Sequence, residues 1–113
     1  LPITNPAILE HRFLAEMLDS SYYPTAVVQQ GVEILQDLSA QIEATQPRNL
    51  DALYALTNAA TERFNELVDA FYDAGSEIDT VARDCIAVDV LFIAQTYGFA
   101  DADIEELTAT RDW

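Results

Sequence analysis

The sequence has no lysine, one cysteine, one histidine, three glycines and four prolines in 113 residues. A single cysteine forms no internal disulfide, so nothing points to an oxidising compartment. With so little Gly and Pro and 50% hydrophobic residues, the composition is that of a folded chain, not of an acidic disordered tail. No uninterrupted apolar run approaches the ~18 residues that would suggest a membrane span. Leu1-Pro2-Ile3-Thr4-Asn5 has neither the basic end nor the apolar stretch of a signal peptide. The expected location is the cytoplasm. The length suits one domain, 1–113, with a real hydrophobic core.

Positive charge is scarce: five Arg against 20 Asp plus Glu give a formal net charge of −15. Nucleic-acid binding neutralises phosphates with Lys and Arg, so this chain is expected to be repelled by DNA, RNA and anionic lipid. Two readings of the acidity stand. One is a solubilising surface, suited to a high-salt setting and consistent with the absence of Lys. The other is a surface shaped for a basic partner, where attraction speeds encounter and selects the partner.

Prolines and glycines separate apolar segments that repeat at helical spacing. The first opens with Asn5 as N-cap and Pro6 at the first helical position. It continues through Leu9, Phe13 and Met17, with Leu14 and Leu18 beside them, and stops at Ser20–Tyr23, ahead of Pro24. The second, from about Pro24 to Thr45, carries Val28, Leu35, Leu38 and Ile42 on one face. Gly31 lies on that seam, where another backbone is expected to approach. The third is capped by Asn49 or Asp51 and runs to about Ala74, with Leu53, Leu56, Ala60, Phe64, Leu67 and Phe71 as its core stripe. Gly75 ends it.

Ser76-Glu77-Ile78-Asp79 resembles a capping box for a fourth helix, whose Ile78, Val81, Ala82, Cys85, Ile86, Phe92 and Ile93 are expected inward. This helix should be central, since only Asp89 interrupts its apolar run from Cys85 to Ala94. Gly98 ends it, Phe99 packs back, and a short helix runs from about Asp101 to Thr108. The expected fold is all-α: an antiparallel up-and-down bundle of four main helices with a short C-terminal fifth.

Ser21-Tyr22-Tyr23-Pro24, the run Leu56–Glu62, Thr80–Ala87 and the end from Tyr97-Gly98-Phe99 to Thr110-Arg111-Asp112-Trp113 are similar to a family of small acidic helical bacterial proteins classed as a domain of unknown function. The resemblance covers nearly the whole chain and implies a stand-alone bacterial cytoplasmic protein. It supplies no activity, cofactor or catalytic residue. The family usually contains Lys, which this sequence lacks.

Among residues that carry chemistry, the strongest anomaly is an acidic stripe on the third helix. Glu62, Glu66, Asp69 and Asp73 follow steps of four, three and four, so they share a face. Like charges at that spacing cost about 0.2–0.5 kcal/mol per pair, and the last two lie where the helix dipole disfavours anions. The stripe is either a solvated face or the docking face for a basic protein or a divalent cation.

A di-metal carboxylate site needs Glu-x-x-His motifs, and the lone His11 follows Glu10 directly. One Cys and one His do not make a zinc site. Asp101-x-Asp103-x-Glu105 has Glu106 where a calcium loop needs Gly. No metal or other cofactor is expected. Cys85, on an apolar face, reads as a small buried hydrophobe, and His11 as a surface or rim residue. Tyr22-Tyr23 and Tyr97/Phe99 are expected to close the bundle ends.

Asp89 falls at inward spacing, where a carboxylate must be hydrogen-bonded, paired or protonated. It is either a structural partner of Arg63, Arg12, a Tyr hydroxyl or a helix end, or a perturbed acid lining a pocket. The expected function is a non-enzymatic interaction protein of the immunity or inhibitor kind, whose acidic surface engages a basic partner. The alternative is a small-molecule binder or hydrolase with a pocket around Asp89. Val88, Val90 and Leu91 leave the fourth helix apolar nearly all round, which raises a homodimer as a further arrangement.

Overall fold

A computed structural model describes residues 3–113. Leu1 and Pro2, the start of the stretch compared with a signal peptide, lie outside the described residues. All the helices and turns between Ile3 and Trp113 belong to one all-α arrangement, with no strand among the described residues. Six helices follow in order: α1 Pro6–Glu10, α2 Ala15–Leu18, α3 Thr25–Thr45, α4 Leu50–Asp73, α5 Thr80–Thr96 and α6 Ile104–Leu107. None is long and apolar enough to cross a membrane.

The long helices begin and end for local reasons. The Asn49 side chain accepts the Ala52 N–H at 2.8 Å and starts α4. At its end Gly75 takes φ +81°, and the Gly75 and Ser76 N–H groups donate back to the Tyr72 and Phe71 carbonyls. This double closure uses a residue without a Cβ to turn the chain left-handed. Gly98 repeats it after α5, where Phe99 N–H donates to the Ala94 carbonyl. Ser76 therefore belongs to the end of α4, and the expected capping box is not formed. Asp79 caps α5 instead, accepting the Ala82 N–H at 3.0 Å. The buried face of α5 runs through Ala82, Ile86, Asp89 and Ile93, which leaves Val81, about 100° round the helix from Ala82, facing solvent at 52% exposure rather than inward.

α3 and α4, joined by a short connection, make the most extensive helix–helix contact among the described residues. Gly31 sits at this seam, but side chains fill its space, not a backbone. A Cβ there would meet Leu14 Cδ1 at 2.9 Å and Phe64 Cε1 at 3.0 Å. The core runs through Val28, Leu35, Leu38, Leu53, Phe64, Phe71, Ile86 and Ile93, each essentially inaccessible to water. α5 packs on α1, α2, α3 and α6, as its apolar composition requires.

The expected first helix is divided. His11 is extended and Leu14 adopts φ +55°, so α1 ends at Glu10 and α2 begins at Ala15. Ile8, Phe13, Leu14 and Met17 are all buried, while Leu9 is 62% exposed. In a straight helix Ile8 and Met17 would point about half a turn apart, at ~100° per residue. The break lets both reach the same core.

Candidate functional site

The break between α1 and α2 converges on Asp89. From α5 its Oδ2 accepts the Leu14 N–H at 2.7 Å, and its Oδ1 lies 2.9 Å from His11 Nε2. The carboxylate is nearly buried, with 10% of its side chain exposed against 29% for His11. The imidazole stacks on Phe92, ring centroids 4.1 Å apart, and meets Phe13 edge-on at 4.8 Å. Each oxygen of the buried acid thus has a donor, which is the condition for keeping a carboxylate out of water.

Of the partners expected for Asp89, the helix end is the one found, because Leu14 is the N-cap residue of α2. Arg12 instead forms a two-pronged pair with Asp19 at 2.7 and 2.9 Å. Arg63 reaches Asp37 at 3.0 Å, and among the described residues no Tyr hydroxyl hydrogen-bonds the carboxylate. His11 was unforeseen as a partner: it stands at the rim, as expected, but with its ring held by Asp89 and two aromatic neighbours.

An open cleft of about 260 Å³ adjoins this pair, lined in part by His11, Cys85, Val88 and Asp89. Cys85 is half-buried, and burial, reinforced by the Asp89 charge, pushes its thiol up to about 11. A thiol held protonated at neutral pH is a poor nucleophile. The cleft has no activated sulfur, and its acid is already bonded within the chain. Among the described residues no group of three or more His, Cys, Asp or Glu side chains is placed to hold a metal ion.

The acidic stripe is where the sequence places it. Glu62, Glu66, Asp69 and Asp73 are all exposed on α4, and none lies within 4.0 Å of a cationic group among the described residues. A shallow groove beside the stripe has Ile34 and Leu67 in its lining, together with Glu33, Glu66 and Arg63.

The remaining polar contacts join elements. Glu43 on α3 accepts from Thr4 N–H and Oγ1, from Asn5 N–H and from the Tyr97 hydroxyl. These bonds, Tyr97 first, hold its carboxyl down at about 2. Burial and then the Glu43 bond push the Tyr97 hydroxyl upward. At the opposite end of α5, Tyr23 donates to Asp79 at 2.5 Å. Tyr23 and Tyr97 fasten helix ends, the role expected of them, while Tyr22 stays exposed. Asp103, from the acid-rich stretch before α6, caps that helix through the Glu105 N–H at 2.8 Å.

The family of unknown function DUF5713 matches residues 7–113, and the chain belongs to that family. No curated protein and no solved structure matches it.

Proposed function

We propose that this member of DUF5713 is a cytoplasmic, non-catalytic binding module whose α4 face, bearing Glu62, Glu66, Asp69 and Asp73, receives a basic protein in the manner of an immunity or inhibitor protein. The carrying observation is that these four exposed carboxylates share a face and have no cationic group within 4.0 Å among the described residues. Their repulsion and the unfavourable dipole at the end of α4 are local costs, which a cationic surface would relieve. Attraction over such a face speeds encounter and selects against acidic partners. The internal bonding of Asp89 and the protonated state of Cys85 support this reading over a hydrolase built on the Asp89 cleft.

The test uses the wild-type chain and a Glu66→Lys/Asp69→Lys variant as baits in a lysate of the source organism. A basic protein should be retained by the wild type, released at high salt and lost from the variant. The variant should melt no lower than the wild type, because the changes remove repulsion. Equal retention by both baits refutes the docking face.

A second reading, a homodimer through α5, is favoured by Val81 and Val88, both more than half exposed and seven residues apart on that helix. Val90, expected at the same surface, is buried. A chain at −15 repels its own copy, so such a dimer should strengthen with salt, the opposite of the basic complex. Sedimentation at low and high salt separates the two.

A further inference from the structure

The chain has only five arginines, and two of them meet in one cleft. Arg83 of α5 and Arg111 of the C-terminal tail line a cavity of about 420 Å³, together with Thr80, Ile104 and Trp113. That volume suits a small organic ligand. The cleft lies across Asp84 from the His11–Asp89 pair, since Asp84 lines both cavities.

In an acidic chain, guanidinium groups are expected to take carboxylate partners, as Arg12 and Arg63 do. Arg83 and Arg111 hydrogen-bond hydroxyls. Arg83 donates to Thr80 Oγ1 at 3.3 Å and Arg111 to Thr108 Oγ1 at 3.0 Å. Among the described residues Arg83 has no carboxylate within 4.0 Å, and Arg111 pairs with Glu105 at the longer distance of 3.6 Å. A guanidinium has five N–H donors in a rigid fork that matches a carboxylate, and in these two exposed arginines most of the donors face solvent, where a ligand can exchange with water. The Arg111 guanidinium also lies 5.9 Å from the centre of the Trp113 ring, which restrains it beside an apolar wall.

We propose that the Arg83–Arg111 cleft binds a small monocarboxylate with an apolar or aromatic body: the arginines take the carboxylate, and Ala87, Ile104 and Trp113 take the body. Asp84 and Glu105 at the same cleft set the charge of the ligand. They offset the two arginines, so the cleft has no net charge of its own and recognition rests on the directed guanidinium donors; a phosphate dianion brings more uncompensated charge than a monocarboxylate. The site is independent of the α4 face, and each proposal stands or falls alone.

Trp113 is the only tryptophan, so its fluorescence reads the cleft in the intact chain. Titration with 3-phenylpropanoate should give a saturable change with a dissociation constant of about 1 mM or tighter. The uncharged 3-phenylpropanamide should bind about tenfold more weakly, the loss expected when charge-assisted hydrogen bonds disappear. Arg83→Gln and Arg111→Gln should each weaken the acid by a similar factor, and the corresponding Lys variants less, with unchanged helical circular dichroism. Should a variant misfold, the Trp113 indole and Arg83 side-chain N–H resonances of the wild type carry the same comparison. They should shift at about tenfold lower concentrations of the acid than of the amide. Absence of saturation, equal response to acid and amide, full binding by the Gln variants, or tighter binding of inorganic phosphate each overturns the proposal.

Discussion

Replacing Asp89 with Ala tests whether the α1–α2 break depends on this carboxylate. The wild-type oxygen accepts the buried Leu14 N–H at 2.7 Å, and Ala leaves that donor without a partner. An orphaned buried donor costs about 1–3 kcal/mol. The same bond holds Leu14 at φ +55°, a conformation that costs a non-Gly residue ~1–2 kcal/mol and that tertiary contacts must over-determine. That strain is already present in the wild type and is relieved, not added, if the break relaxes. The orphaned donor therefore sets the loss at about 2 kcal/mol, equivalent for a domain of this size to a fall in Tm of roughly 8 °C.

Asn is the informative control. Its carbonyl oxygen still accepts from Leu14, while its amide faces His11, whose tautomer then has to present a lone pair. Asp89→Asn should lose less than half as much as Asp89→Ala. Thermal melts followed by circular dichroism give the ranking, and amide exchange locates the effect, with Leu14 N–H losing protection first in Asp89→Ala. A fall in Tm below about 2 °C for Ala, within the ordinary range for a surface change, refutes the reasoning. So does a melt in which Asn and Ala are indistinguishable.

The Glu43 carboxyl is held at about 2 against 4.5 in its ordinary state. Its contribution is therefore complete above about pH 4.5 and lost as pH falls toward 2. Glu43→Gln should remove that part of the acid sensitivity, seen as a shallower fall in Tm across this window. Gly31→Ala should destabilise by about 1 kcal/mol, because overpacking at ~1–3 kcal/mol exceeds the helix-propensity gain. A higher Tm would refute the tight contact with Leu14 and Phe64. Cys85, with its thiol pushed up to about 11, should react with iodoacetamide far more slowly at neutral pH than the same cysteine in the urea-unfolded chain, as mass spectrometry can measure.

The long helices are readable from the chain because their signals are local. Asn49 starts α4, Gly75 and Gly98 stop helices at positive φ, and apolar residues return on one face between these points. The break at Leu14 has no such signal. No Gly, Pro or Asn marks it, and the carboxylate that stabilises it lies 75 residues further on. Ser76 misleads for a related reason: the Schellman closure of α4 takes its N–H, which hands the cap of α5 to Asp79. The acidic stripe is legible because exposure at regular steps follows from the core stripe opposite. Asp89 is legible as buried, but its partnership with His11 is not, since the spacing of a helix says nothing about which loop covers it. Arg83 and Arg111 lie on separate elements, and only the folded chain brings them to one cleft.

Two asparagines on α4 hold the C-terminal segment like a pair of clips. Asn58 accepts from Thr110 N–H and donates to the Glu106 carbonyl, while Asn65 donates to the Thr110 carbonyl and accepts from Asp112 N–H. Each contact closes a loop of more than 40 residues, which includes α5. Loops of that span close late, after the local helices exist. The order of assembly follows: the α3–α4 hairpin forms first, α5 covers it, and the segment ending in Trp113 docks last. In the native state the same segment should be the first to lift away, as a sub-global opening below the free energy of complete unfolding. A protease should therefore shorten the chain from this end while the helices beneath remain intact.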